Sequence, residues 1–148
     1  MESREIRLHG TGRPARPEVY RWVEHTAELE LAIEAPSERG VLEDALLALR
    51  ELLSASGDGT TVTRRLAVAA PDRPALLAGW LEELVFLAES EGFVATALRS
   101  LELRDDGLKA SVEGVIGDPP PLVKAVTYHR LAFGRAGAGF VGRAVLDV

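Results

Sequence analysis

The sequence contains no cysteine, and this absence removes several classes of function at once. A disulfide framework, a thiolate zinc site and a cysteine nucleophile all require a thiol. Long apolar runs are missing too: no stretch reaches the roughly 18 residues of a membrane span, and the N-terminus has no apolar signal core. We therefore expect a soluble, cytoplasmic protein with no membrane partner.

Positive charge is also scarce, since the net charge is −6 and only two of the 17 basic residues, Lys109 and Lys124, are lysines. Residues 1–21 hold five arginines and three glutamates, so this segment carries +2 and the rest carries −8. An acidic body repels phosphate backbones, so tight direct binding of nucleic acid is not expected. Residues 1–16 are predicted to form a flexible basic N-terminal tail, and residues 17–148 a single domain.

Apolar side chains recur with two periods, which predict strands and helices. The predicted strands are residues 19–23, 28–34, 62–68, 97–103, 108–115, 123–133 and 140–146. Helical spacing covers residues 41–53, after the N-cap candidate Ser37, and residues 76–87, between the cap candidates Asp72 and Gly92. Asp105, Asp106 and Gly107 predict a hairpin turn. The order predicts an α/β (α+β) fold, a mixed, mostly antiparallel sheet with two helices packed on it.

The same periods predict which side chains are buried. Trp80 shares the apolar stripe of the second helix and is expected in the core. Glu43 and Asp44 lie off the stripe of the first helix and are expected to face solvent. Glu30 and Glu34 alternate with apolar residues and are predicted to be exposed strand positions.

Familiar catalytic motifs are missing, because the sequence has no GxGxxG, Walker, HExxH or GxSxG pattern. Its three histidines are His9, His25 and His129. A zinc site would need His25, His129 and a carboxylate to converge, and nothing in their spacing enforces that. A serine–histidine–aspartate triad built on His25 has no nucleophile elbow to support it. A small hydrolase using His25 or His129 is therefore a minor alternative.

Two acidic residues differ from the others by position. Glu28 opens a strand directly after His25 and Thr26, and Asp147 ends an apolar strand beside the terminal carboxylate on Val148. If the last strand runs next to the segment from Glu28, three carboxylates meet, and a cation or a proton must relieve their repulsion. Oxygen ligands of this kind suit Ca²⁺ or Mg²⁺. On spacing alone, a frayed polar C-terminus is the simpler interpretation.

Three sequence blocks together resemble the archease family, and they occur in the family's order. The blocks are VEHTAELELAIEAPSERGVLEDALLAL, LLAGWLEELVFLAE and VKAVTYHRLAF…RAVLDV, which extend from about Tyr20 to Val148. The resemblance implies a small α/β protein that is not itself an enzyme. It implies an accessory factor for the tRNA-splicing type of RNA ligase, a metal- and GTP-dependent enzyme, whose guanylylation and repeated turnover it promotes.

The resemblance also implies a calcium site, which maps to Glu28, Asp147 and Val148. The family's strand lysine maps to Lys124, and Thr127, Tyr128 and His129 match in the same block. Most members have aspartate where this chain has Glu28. Calcium tolerates the longer side chain because its ligand shell is flexible at about 2.3–2.6 Å, whereas magnesium is stricter. The site is predicted to be retained or weakened, with its loss as the alternative.

Two residues beside this predicted site have alternative interpretations. His25 is interpreted as a structural residue that supports the turn before Glu28 rather than as a ligand. Lys124 either contacts a protein partner or acts as an edge-strand lysine that discourages aggregation.

Two functions follow from the sequence. The first is a calcium-binding, archease-like protein that activates an RNA ligase. The alternative is a binding module with a relaxed metal site, which acts as a chaperone or modulator of an RNA-processing or RNA-modifying enzyme. The replacement of the usual aspartate by Glu28 motivates the alternative.

Overall fold

The computed structural model describes residues 4–6, 20–25, 27–53 and 60–148, with only the backbone described at 4–6 and 23–25. The elements are β1 (Arg4–Ile6), β2 (Tyr20–His25), β3 (Glu28–Ala35), α1 (Glu38–Leu52), β4 (Thr61–Ala69), α2 (Arg73–Glu91), β5 (Phe93–Arg104), β6 (Gly107–Ile116), β7 (Ala125–Ala136) and β8 (Gly139–Asp147). The predicted α+β class with two helices is confirmed.

The strands are divided between two sheets rather than collected in one. The larger has five strands in the order β1-β2-β3-β8-β7, and the smaller has three in the order β4-β6-β5. Every strand pair in the described residues is antiparallel. The division could not be predicted from the alternation of apolar residues, since alternation defines the faces of a strand but not its neighbours.

Both helices pack against both sheets, which gives the molecule a single hydrophobic core. Helix α2 buries residues around most of its circumference, as expected for a helix between two layers. Trp80 is 0% exposed, and its indole N–H donates a hydrogen bond of 2.9 Å to the carbonyl oxygen of Leu42 in α1. The core position predicted for Trp80 is confirmed. Neither helix in the described ranges is both long and apolar enough to cross a membrane.

The predicted helix caps are confirmed by their hydrogen bonds. Ser37 Oγ accepts from the amide of Gly40 at 3.0 Å, and Asp72 Oδ1 accepts from the amide of Ala75 at 2.9 Å. Gly92 ends α2 with φ of +68°, the left-handed conformation that glycine adopts without strain.

Two predictions about burial are corrected. Asp44 was expected to face solvent but is 0% exposed, because α1 contacts β3 and β8 of one sheet and β5 of the other. The buried surface of α1 is therefore wider than a single stripe. Glu30 was expected to be exposed, but its side chain is only 14% exposed. The predicted exposure of Glu34 is confirmed.

The predicted N-terminal tail is described only in part. Arg4–Ile6 forms β1 and pairs with β2, which places Ile6 opposite Trp22. The backbone of these three residues is described as a strand, which by itself does not test the predicted flexible tail. The other residues of 1–16 lie outside the described part of the chain, and the prediction for them stays a prediction.

Candidate functional site

Strand pairing brings the two acids singled out in the sequence to one end of the larger sheet. Glu28 is the first residue of β3, Asp147 is the last residue of β8, and the two lie directly opposite each other. Directly opposed residues of an antiparallel pair project from the same face, with Cβ atoms roughly 4.5–5.5 Å apart. The condition set by the sequence, that the last strand runs beside Glu28, is met.

Two backbone hydrogen bonds hold neighbouring segments at the same end. The amide of Val148 donates to the carbonyl oxygen of Ala27 at 3.1 Å, and the amide of Lys124 donates to the carbonyl oxygen of Asp147 at 2.8 Å. The structure therefore brings Glu28, Asp147, Val148 and Lys124 together. The Lys124 side chain is exposed, and it immediately precedes the edge strand β7.

The backbone at this end is strained. Among the described residues, the non-glycine positions with positive φ are Ala27 at +61° and Arg130 at +57°. A left-handed conformation costs roughly 1–2 kcal/mol for a residue with a side chain, and such strain concentrates at functional sites. Ala27 directly precedes Glu28, and the side chain of Arg130 reaches Glu28. Both strained positions thus adjoin the same carboxylate.

Two arginines neutralise two glutamates beside Asp147. Arg130 Nη2 lies 3.9 Å from Glu28 Oε2, and Arg130 Nη1 lies 3.2 Å from Glu30 Oε1. Arg143 Nε lies 3.8 Å from Glu30 Oε2. Glu30 Oε1 is buried and, within the described residues, accepts no hydrogen bond, so its contact with Arg130 is an ion pair without hydrogen-bond geometry. The negative charge of Glu28 is therefore shared with Arg130.

Arg130 and Glu30 are the site residues that sequence reasoning missed. Residue 130 falls within a segment that reads as a regular strand, and no glycine or proline marks the irregularity there. The register of β7 against β8 nevertheless shifts between Thr127 and Ala132. Glu30 gave no signal either, because its alternation with apolar residues is the same as that of the exposed Glu34.

The two histidines of the sequence analysis lie near this region in different ways. His129 is exposed in the irregular part of β7, where its amide donates to Thr127 Oγ1 at 3.3 Å. The backbone of His25 pairs with Glu28 across β2 and β3. The side chain of His25 and the whole of Thr26 lie outside the described residues, so the structural role of His25 stays a prediction.

The donor set at this end fits a hard cation that keeps several waters. Glu28, Asp147 and the main chain of Val148 supply only oxygen, which calcium prefers, but calcium takes six to eight ligands. In the described ranges, no group of three or more histidine, cysteine, aspartate or glutamate residues could hold a metal. Arg130 also competes for Glu28. The described side chains alone therefore do not complete a calcium shell.

Two solved structures have the same fold as this chain. A solution structure of Methanobacterium thermoautotrophicum protein 1598 superposes with a TM-score of 0.68 at 24% identity, and it covers 87% of this chain and 98% of that one. A crystal structure from Thermotoga maritima gives a TM-score of 0.62 at 20% identity over 95% of this chain and 100% of that one. Fold and strand-end site together define a small α+β protein with two antiparallel sheets around two helices.

Sequence comparison then identifies the family. Residues 20–148 match the Archease protein family (MTH1598/TM1083). Protein archease of Methanosarcina acetivorans is 28% identical over 91% of this chain and 99% of its own length. Protein archease of Methanopyrus kandleri is 30% identical over 85% of this chain and 96% of its own length. The chain belongs to the archease family. The Thermotoga structure is described as "an archease, possible chaperone".

Proposed function

We propose that this chain is an accessory protein rather than an enzyme, which binds calcium and activates a tRNA-splicing RNA ligase. Activation consists of promoting guanylylation of the ligase and its multiple turnover. The observation that carries the proposal is the register that pairs Glu28 with Asp147. Hydrogen bonds that hold Val148 and Lys124 at the same sheet end, together with membership of the archease family, support it.

The chain's own residues have distinct roles in this proposal. Glu28, Asp147 and Val148 would hold the ion, and the strained turn at Ala27 directs Glu28 towards the end of β8. A bound divalent cation supplies positive charge that cancels the repulsion between the carboxylates. Lys124 projects into solvent beside them, where a protein partner can contact it. The ligase, and not the acidic body of this protein, would bind the RNA.

The test is multiple-turnover RNA ligation by the ligase of the same organism, with and without this protein. Asp147→Asn and Glu28→Gln should each remove most of the stimulation, because each deletes one carboxylate of the pair. Glu34→Gln is the matched control, since Glu34 is an exposed carboxylate on the same face of β3. Asp118→Asn is the corresponding control for the aspartate, in an exposed loop position.

Several outcomes contradict the proposal. Equal loss in Glu34→Gln would indicate a general charge effect rather than a site. An absence of stimulation by the unaltered protein, with a ligase that is active on its own, would exclude the activator role for that ligase.

A second candidate function is a metal-independent chaperone or modulator of an RNA-processing or RNA-modifying enzyme. The ion pair of 3.9 Å between Arg130 and Glu28 favours it, because this contact neutralises Glu28 without a metal. The description of the Thermotoga structure points in the same direction. Stimulation that survives in Asp147→Asn and Glu28→Gln, and in the presence of a calcium chelator, would support this candidate over the first.

A further inference from the structure

Strand β7 is locally irregular where it passes the candidate site. Thr127 pairs with Val145, and the next paired residue, Ala132, pairs with Arg143. The four residues 128–131 therefore face a single residue of β8, Ala144, and form a bulge with three extra residues. Bulges redirect side chains and are common next to functional sites. Here the bulge contains Arg130, which turns back towards the sheet.

The contacts of Arg130 reach across an intervening strand. Arg130 is in β7, its partners Glu28 and Glu30 are in β3, and β8 lies between the two. With neighbouring strands about 4.8 Å apart, the side chain must span nearly 10 Å of sheet and pass over β8. Val145 lies in β8 opposite Glu30, and it is 0% exposed although it is not part of the main core cluster. The side chain of Arg130, which passes over β8 on this face, explains the burial of Val145.

The backbone conformation of Arg130 is unfavourable for its residue type. A φ of +57° is accommodated without cost by glycine and is more often tolerated by asparagine or aspartate than by arginine. Strain of this kind persists only where surrounding contacts impose it. The contacts available here are the carboxylates of Glu28 and Glu30.

We propose that Arg130 is a built-in counter-cation, which occupies Glu28 in the metal-free protein and must release it before a divalent cation binds. Glu30 provides the second position: it lies nearer to the guanidinium, at 3.2 Å against 3.9 Å, and it is the more buried of the two carboxylates. Arg130 can therefore leave Glu28 and remain paired with Glu30. This inference rests on the metal-binding part of the proposed function and assigns Arg130 as the residue that sets cation affinity.

Calcium titration by calorimetry of the full-length protein tests the inference. Arg130→Gln and Arg130→Gly should bind calcium about fivefold more tightly than the unaltered protein, the order expected when one half-exposed ion pair is lost. Arg130→Lys keeps the charge and should remain within about twofold of the unaltered protein. Arg143→Gln is the matched control, since the ion pair of Arg143 within the described residues of this cluster is with Glu30 and not with Glu28.

Charge and backbone strain are separated by comparing two of these variants. Arg130→Gln removes the positive charge but keeps a side chain at the left-handed position, so the backbone strain remains. Arg130→Gly removes both the charge and the strain. Calcium affinity should rise in both variants, but the melting temperature should be higher in Arg130→Gly than in Arg130→Gln, because glycine relieves the strain while both variants lose the same ion pairs. A rise in affinity confined to Arg130→Gly would assign the effect to the backbone and overturn the proposal.

The remaining outcomes distinguish this inference from the proposed function. Unchanged or weaker calcium binding by Arg130→Gln overturns the inference and leaves the proposed function to the separate ligation assay. No calcium binding by any of the proteins, the unaltered one included, overturns the inference and also contradicts the calcium-binding part of the proposed function. Tighter binding by Arg130→Gln without ligase stimulation supports the inference and contradicts the proposed function. NMR of arginine Nε–H groups provides a check in the unaltered protein: calcium should shift the Arg130 resonance, and an unmoved resonance would overturn the inference.

Discussion

Both sheets carry arginine–glutamate pairs, but the pairs differ in length, burial and backbone. In the three-stranded sheet, Arg99–Glu113 and Arg104–Glu102 are 2.6 Å and 2.9 Å long, with both arginines largely exposed. The hydrogen bond from Arg104 lowers the pKa of Glu102 below its ordinary value. In the five-stranded sheet, Arg130 is 3.2 Å and 3.9 Å from its two partners, on a strained backbone.

The difference shows that the length of an ion pair does not follow its burial or the strain of its backbone. Exposed pairs are screened by water and contribute little even when their geometry is good. The pairs of Arg130 are longer, but they involve a half-buried glutamate and a backbone conformation that arginine rarely adopts. Burial and strain together distinguish the candidate site from the rest of the surface, whereas distance alone does not.

The largest expected effect on stability comes from adding a methyl group to a glycine in each sheet, because the two glycines are packed differently. A Cβ at Gly114 in β6 would meet the carbonyl oxygen of Val94 and lie 2.6 Å from Phe93 Cζ, whereas a Cβ at Gly134 in β7 has no neighbour within 4 Å. Gly114→Ala should lower the free energy of unfolding by about 3 kcal/mol. Gly134→Ala should change it by less than about 0.5 kcal/mol. Urea denaturation measures both, and equal losses would contradict the contrast.

An intermediate effect on stability is expected when Glu30, the half-buried glutamate of the candidate site, loses its charge. Glu30→Gln leaves Arg130 and Arg143 facing an uncharged side chain, so we expect a loss of about 1 kcal/mol in the free energy of unfolding. Glu102→Gln is the control in the other sheet and should cause no measurable change, because its pair is exposed. Thermal denaturation of both variants at low salt measures the two changes in stability. A greater loss in Glu102→Gln would reverse the comparison.

The remaining effects, of about 1 kcal/mol or less, concern the left-handed positions, which should respond with opposite signs. Gly137 has φ of +58° with space for a Cβ, so Gly137→Ala should cost about 1 kcal/mol from backbone strain alone. Ala27→Gly should gain about 0.5 kcal/mol, because relief of strain exceeds the added entropy of the unfolded chain. Calorimetric melting of both variants measures the pair. A loss in Ala27→Gly would show that the turn before Glu28 is not strained.

Local signals predicted the elements, whereas contacts between distant segments escaped prediction. Ser37, Asp72 and Gly92 act within one turn of a helix, so their chemistry could be recognised from adjacent residues. The burial of Asp44 depends on a helix that packs against two sheets at once, and the chain gives no local sign of the second sheet.

The two acidic residues of the candidate site could be predicted from the sequence, but the arginine that pairs with one of them could not. Glu28 and Asp147 were identified by position and family resemblance, and strand pairing places them opposite each other. Arg130 was missed because a bulge without glycine or proline leaves no signature in the sequence. Its two partners are also far from it along the chain, so no spacing rule connects them.

Strand β8 is the last described strand, yet it lies between β3 and β7 in the larger sheet. During synthesis β3 therefore leaves the ribosome long before the strand that pairs with its second edge. Until β8 arrives, that edge can pair with strands of other chains. The pairing of Glu28 with Asp147 forms only when this gap closes. A partner that recognises both carboxylates would consequently bind molecules in which β3 and β8 are paired and ignore those in which they are not.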